Sequence, residues 1–237
     1  MGTPFFRNVI GCIAMMSSPL LATTVTIQGT ANIFASGQAS VVDGTLPQST
    51  VFAGSNLQLV FGSVTGAVNC CFGVPDSTAD GGFGAGGVTN INSLNGISGI
   101  IDSSRTLFLV GLFDNGSLNA GAAPARLDVS ANQDTFTTSS PLLYQTFFIG
   151  DGRTGFNNAA GTQQVFVVPA GATRLFLGFA DAFGFIGDPG FYNDNTGSLS
   201  ATFTISSTSA VPEPSTFVLT GLAGLLLATI RKARSVR

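Results

Sequence analysis

The residues best suited to chemistry lie between positions 181 and 198, where oxygen-bearing side chains surround a glycine-containing turn. An apolar run ends at Asp181, and Asp194-Asn195 precedes the next β-prone run. Calcium is bound in proteins by six to eight carboxylate, amide and backbone carbonyl oxygens. Four such ligands can come from this segment: the side chains of Asp181, Asp194 and Asn195 and the carbonyl of Phe191. The segment therefore predicts a calcium site, whose open positions the hydroxyls of a bound sugar can fill.

The same segment resembles the C-terminal loop of small calcium-dependent galactose-binding bacterial lectins, which are β-sandwiches. In those lectins a strand ending in Asp is followed by Pro-Gly-x-Tyr, one further residue, two Asn and Ser-Gly-Ser. Here Pro189-Gly190-Phe191-Tyr192 and Asp194-Asn195-Thr196-Gly197-Ser198 stand in that register. The resemblance implies a galactose-binding-like sandwich that holds calcium through the four ligands above and binds a carbohydrate.

This sequence departs from the lectin pattern in ways that leave alternatives open. The interval between Asp181 and the Pro-Gly pair is longer, so Asp188 is an alternative ligand to Asp181, and Asp194 stands where the lectins have Asn. The lectins contact sugar through a His, and this chain contains no His. In a second interpretation, Asp194-Asn195 and Gly197 form only a tight hairpin turn whose side chains bond to their own backbone.

Catalytic residues are scarce. Without His, the chain cannot form a Ser-His-Asp or Cys-His pair or a histidine-ligated zinc site. The one Lys, Lys232, and the one Glu, Glu213, both lie near the C-terminus. Eleven Asp offer a hydrolase an acid pair, but no spacing marks one. We expect no enzyme, and an Asp-pair hydrolase is the weaker alternative.

Cys70 and Cys71 are adjacent, and Cys12 belongs to the leader described below. Outside the cytoplasm, where disulfides persist, the pair can close a local ring that rigidifies a turn. A buried pair of thiols and an intermolecular bridge are the alternatives. We expect the local disulfide.

The elements that must position these residues are β-strands. Charged residues make up only 9% of the chain, whereas Gly numbers 31 and Phe 21, a mixture that suits short strands and tight turns better than helices. We predict one all-β sandwich, of jelly-roll or galactose-binding-like type, over residues 23–206. A long loop is expected at 73–99. The predicted strands are Thr24–Gln28, Asn56–Phe61, Thr106–Phe113, Ala125–Val129, Tyr144–Ile149, Gln163–Val168, Arg174–Phe179 and Ser198–Ile205.

The charge of this body limits its partners. Residues 23–210 carry eleven Asp and four Arg, a formal charge of −7. Such a surface repels phosphate backbones, which excludes nucleic acid as an expected partner.

The two ends of the chain predict export. Residues 1–22 have the pattern of a signal peptide, with Arg7, an apolar stretch and small residues near Ala22. A lipoprotein box at Cys12 and an uncleaved apolar strand are weaker alternatives. Residues 207–211 are a linker, and Pro212-Glu213-Pro214 follows as an extended, accessible segment. The apolar stretch 215–230 predicts a short transmembrane helix, and the basic end 231–237 should stay cytoplasmic.

This C-terminal arrangement resembles the PEP-CTERM sorting signal, in which Pro-Glu-Pro precedes a short apolar helix and a basic end. The resemblance covers the last 27 residues or so and implies recognition by an exosortase-type membrane enzyme. That enzyme would cut near Pro212, Glu213 and Pro214. The body would be periplasmic while anchored in the inner membrane, and would then pass to the cell surface or the extracellular matrix. An ordinary single-pass anchor is the alternative.

The sequence thus predicts an exported envelope or matrix protein with a sandwich that binds calcium and extracellular polysaccharide. The competing hypothesis is a purely structural surface protein that binds no small ligand.

Overall fold

The computed structural model describes residues 22–71 and 77–207, which form an all-β, sandwich-like body. The predictions for the signal peptide, linker and sorting tail therefore lie almost wholly outside the described residues. No helix within the described ranges has the length and apolar content needed to cross a membrane. The strands are β1 Thr23–Gln28, β2 Gln48–Val51, β3 Leu57–Asn69, β4 Thr89–Ile91, β5 Ile100–Asp102, β6 Leu109–Asp114, β7 Leu127–Asp128, β8 Thr138–Ser139, β9 Phe147–Phe148, β10 Val165–Val167, β11 Arg174–Phe179, β12 Ile186–Gly187 and β13 Thr196–Ser207.

Short 3-10 turns connect several of these strands. They span Ile33–Ala35, Gly84–Gly86, Phe183–Phe185 and Tyr192–Asp194. The last two flank β12 and lie between β11 and β13, so they belong to the segment for which the calcium site is predicted.

The strands form three sheets. A five-stranded sheet has the order β1-β13-β3-β10-β8, and two four-stranded sheets have the orders β2-β11-β6-β9 and β12-β4-β5-β7. The long strand β13 lies between β1 and β3 and is antiparallel to both. In the β1–β13 pair, Thr23 lies opposite Phe203 and Gln28 opposite Ser198.

One face of the five-stranded sheet is buried because its strands alternate apolar and polar residues. Along β3 the buried residues are separated by partly exposed ones, and β13 shows the same period of two. The buried side of this alternation includes Leu57, Leu59 and Phe61 on β3 and Ala201 and Phe203 on β13.

Phenylalanine rings join this sheet to the β2-β11-β6-β9 sheet. Phe166 on β10 lies 6.1 Å from Phe61 and 5.3 Å from Phe147, measured between ring centroids. Phe147 on β9 in turn stacks on Phe113 of β6 at 5.2 Å. Because the ring contacts run from one sheet to the other, the two sheets pack face to face, as in a sandwich.

Several strand predictions need correction. β3 continues to Asn69, well beyond the predicted end at Phe61, while β6 begins only at Leu109. The extension of β3 is possible because Gly66 lets β13 approach closely: a Cβ there would lie 2.4 Å from the Ser198 carbonyl oxygen. The region 73–99 is not one long loop, since β4 and the turn Gly84–Gly86 lie within it.

Candidate functional site

Asp181 and Asn195 meet at one end of the sandwich. Asp181 follows β11, and Asn195 stands immediately before β13, so the two residues come from different sheets. The Asn195 Nδ2 donates to Asp181 Oδ2 at 2.7 Å and to the Gly29 carbonyl at 3.2 Å. Both side chains are buried. The pair therefore joins the ends of the two sheets through a buried hydrogen bond.

The Asn195 amide leaves one atom unsatisfied. Its Nδ2 has two donor hydrogens and two acceptors, which fixes the orientation of the amide. Its Oδ1 is buried and has no hydrogen-bond partner among the described residues. A buried acceptor without a partner costs about 1–3 kcal/mol. A hard cation is one ligand that would satisfy this oxygen.

The charge state of Asp181 is strongly perturbed. Burial raises the pKa of Asp181 to about 7, and repulsion from the carboxylates of Asp194 and Asp43 acts in the same direction. Hydrogen bonds from Asn195 and from the Ala182 N–H, the latter 2.7 Å from Oδ1, oppose the shift. A nearby cation would stabilise the charged form and reverse the shift.

Tyr192 packs beneath the protein surface and connects the turn to the end of β11 through its hydroxyl. Its side chain is fully buried, and its hydroxyl accepts from the Asp181 N–H at 3.0 Å and donates to the Phe179 carbonyl at 3.1 Å. These bonds tie the turn Tyr192–Asp194 to the end of β11, and so fix the position of Asp194 relative to Asp181.

Phe191 precedes this turn in a left-handed backbone conformation, with φ of 72°. A left-handed conformation is unfavourable for a bulky residue, by about 1–2 kcal/mol. Its ring is 52% exposed and lies 5.2 Å from the ring of Phe183, which is 75% exposed. Two large apolar side chains are thus held together in solvent beside the site.

Asp43, which belongs to an early loop, was not among the predicted site residues. Its carboxylate accepts from the Tyr192 N–H at 3.2 Å and the Asn193 N–H at 3.1 Å, and so caps the turn. The neighbouring Gly44 has φ of +83°, and a Cβ there would lie 2.5 Å from Cβ of Tyr192. Glycine is therefore required for the loop to pack against the turn. The Asp-Gly dipeptide signals a turn, but no local pattern connects it with residues 192 and 193.

These residues border an open cleft of about 620 Å³. Burial raises the pKa of Asp194, and the nearby charge of Asp43 acts in the same direction. The cleft is lined by Asp43, Gly190, Phe191, Asn193 and Asp194.

The predicted metal ligands are only partly brought together. Asp181 contacts Asn195, and Asp194 and Phe191 line the adjacent cleft. Asp188, the alternative to Asp181, is exposed and accepts from the Asn92 amide at 2.8 Å. Within residues 22–71 and 77–207, no three His, Cys, Asp or Glu side chains stand close enough together to hold a metal ion. The predicted sorting residues Pro212, Glu213 and Pro214 lie outside the described residues.

Cys70 and Cys71 lie near this site, at the end of β3. Cys70 is buried and Cys71 exposed, with its backbone in the left-handed region at φ of 69°, and the two thiols are free. Burial raises the pKa of the Cys70 thiol, and so do Cys71 and the charges of Asp181 and Asp194. The disulfide expected under oxidising conditions stays a prediction.

Comparisons of this chain with protein-family models, with curated proteins and with solved structures found no match. The chemistry of the site is therefore interpreted from its own residues and their geometry.

Proposed function

We propose that the body of this protein is a calcium-dependent carbohydrate-binding module. The observation that carries the proposal is the buried Asp181–Asn195 pair, whose Asn195 Oδ1 has no partner among the described residues. Asp194, the residue before Asn195, lines an open cleft. A hard cation would bind the oxygen atoms of Asp181, Asp194 and Asn195 and would neutralise the negative charge of the two carboxylates.

The residues that line the cleft and the Asp181–Asn195 pair suit that role together. Asp181, Asn195 and Asp194 would bind the ion through side-chain oxygens, and the Phe191 carbonyl would be a fourth ligand. The bound ion would supply positive charge and open positions for the hydroxyl oxygens of a sugar. The exposed rings of Phe183 and Phe191 would contact the apolar face of the sugar ring. Tyr192 and Asp43 would hold these groups in place through their hydrogen bonds to Asp181 and to the turn Tyr192–Asp194. We infer binding without catalysis.

A melting experiment tests the calcium site. The full-length protein, purified in a mild detergent, is heated with a chelator and again with calcium. At a calcium concentration one hundred times Kd, binding to the folded state adds about 2.7 kcal/mol to the free energy of unfolding. For a body of this size that corresponds to a rise in Tm of about 5–10 °C. The Asp194→Ala variant should lose most of the rise.

Asp188→Ala is the matched control, because Asp188 belongs to the same segment but contacts Asn92 instead of Asn195. Its calcium response should equal that of the unmodified protein. A Tm that calcium leaves unchanged in the unmodified protein would refute the site. The competing hypothesis, a structural surface protein that binds no small ligand, would then be preferred.

We further propose that the protein is exported and sorted at the cell envelope. The signal peptide 1–22, the motif Pro212-Glu213-Pro214, the transmembrane segment 215–230 and the basic end 231–237 support this proposal by their order in the sequence. The partner would be an exosortase-type membrane enzyme. The body would face the periplasm before processing and the cell surface or matrix afterwards.

Mass spectrometry of the protein recovered from its native cells tests the sorting proposal. The mature form should lack both the leader and the apolar tail. Glu213→Ala should leave the tail attached and the protein in the inner membrane, whereas Ser215→Ala is the control that should be processed normally. Recovery of the unprocessed full-length chain from the cytosol would refute export.

A further inference from the structure

A second cleft lies next to the cleft beside Asp194. This second cleft has a volume of about 360 Å³ and shares Asp43 and Gly190 with the first. The two clefts therefore lie side by side, separated by these two residues. The second cleft is therefore a separate space next to the predicted calcium site.

The lining of the second cleft differs from that of the first. Asp43 is the one charged residue among those that line it, and amide and hydroxyl side chains accompany it: Asn32, Gln38, Ser40 and Asn95. Val42 is fully exposed at its rim, and Leu94 is 42% exposed. Neutral hydrogen-bonding groups thus stand next to apolar ones. The described residues of the lining include no Lys or Arg side chain to attract an anionic ligand.

Two of these amides donate to the same backbone carbonyl. The Asn95 Nδ2 donates to the Phe34 carbonyl at 3.1 Å, and the Gln38 Nε2 makes a longer contact with the same carbonyl at 3.4 Å. No described residue donates to Asn95 Oδ1 or Gln38 Oε1. Both oxygens therefore remain free to accept hydrogen bonds from the hydroxyl groups of a ligand.

We propose that the second cleft binds the next sugar unit of a neutral oligosaccharide whose first unit occupies the calcium cleft. A sugar ring carries hydroxyls at its edge and C–H groups on its faces, which matches the mixture of amides and apolar side chains. The carboxylate of Asp43 at the junction disfavours uronic acids and sulfated sugars. This inference rests on the proposed calcium-dependent carbohydrate function and adds the ligand class: a neutral chain of at least two units.

Titration calorimetry with the full-length protein in calcium tests the inference. The probes are galactose, galactobiose and galactotetraose, with a sulfated galactan as the anionic comparison. Two or three additional hydrogen bonds of about 1 kcal/mol each should make galactobiose bind about 30- to 150-fold more tightly than galactose. The double variant Gln38→Ala, Asn95→Ala should lose that increase and still bind galactose as tightly as the unmodified protein.

The calcium-linked rise in Tm separates failure of this inference from failure of the calcium site. If the rise is present but galactose and galactobiose bind equally, the second sugar position is refuted and the calcium site stands. The inference is also refuted if the double variant retains the preference for galactobiose, if the sulfated galactan binds best, or if none of the sugars binds. Far-UV circular dichroism and an unchanged Tm show that the double variant is folded.

Discussion

Replacing Asp181 with asparagine should stabilise the calcium-free protein at alkaline pH. The pKa of Asp181 is about 7 in the folded protein, against an ordinary value near 3.9 in the unfolded chain. The folded state therefore holds a proton more tightly than the unfolded state between these values. The free energy of unfolding falls as pH rises from about 4 to about 7, by about 4 kcal/mol in all.

The asparagine of the Asp181→Asn variant would carry no charge, so this penalty would vanish. The variant would also lose one charge-assisted hydrogen bond, because the new amide must face either the Asn195 Nδ2 or the Ala182 N–H. That loss costs about 1.5–3 kcal/mol. The net gain at pH 8 is about 1–3 kcal/mol, or roughly 2–10 °C in Tm. At pH 5 Asp181 is mostly protonated in the folded state, so the gain should shrink to nearly zero.

The assay is a thermal melt of both proteins at pH 5 and pH 8, each with a chelator and with calcium. Calcium should raise the Tm of the unmodified protein more at pH 8 than at pH 5, because a proton competes for Asp181. It should scarcely affect Asp181→Asn. Asp114→Asn is the control: Asp114 is equally buried but paired with Arg174, so the same substitution should destabilise. Destabilisation by Asp181→Asn at pH 8 without calcium would refute the electrostatic reasoning.

Three further predictions concern the rest of the body. Iodoacetamide should modify Cys71 in the reduced, folded protein and spare Cys70, which is buried and whose pKa is raised; peptide mass spectrometry would show equal labelling if this is wrong. Arg174→Met should cost about 3 kcal/mol in urea unfolding, because it leaves the Asp114 carboxylate buried without its bidentate partner; a loss below about 1 kcal/mol would contradict this. Phe166→Ala should cost about 3–5 kcal/mol in the same assay, since its ring joins the two sheets, and an unchanged midpoint would refute that role.

The fold class could be predicted from the sequence where strands are six residues or longer. β11 has the predicted bounds Arg174–Phe179, β1 begins one residue before its predicted start, and β13 extends two residues beyond the prediction at each end. Strands such as β8 and β12, two residues each, were missed because a period of two cannot be seen in so short a run. Their pairing depends on neighbours distant in the chain.

The candidate site was predicted only in part, because some of its residues are close in sequence and others are brought together only by the fold. Asp181 and Asn195 belong to one local motif, and the structure brings them into contact. Asp43 lies 149 residues from Tyr192 along the chain, and only the fold brings its carboxylate to that turn. Tyr192 belongs to the same sequence motif. Its role in fixing Asp181 depends on a hydrogen bond from the Asp181 N–H to its hydroxyl, which the spacing of residues does not predict.

The direction of β13 sets the cleft and the two ends of the described body apart. Asn195 stands at the beginning of this strand and Ser207 at its end, while β1 starts at Thr23, opposite Phe203. Thr23 and Ser207 therefore lie toward one end of the body. The cleft lies toward the other end, roughly 35 Å away for twelve extended residues. If the body is tethered at Ser207, as proposed above, the cleft points away from the attachment point, and a pull on the tether loads β13 lengthwise between its neighbours β1 and β3.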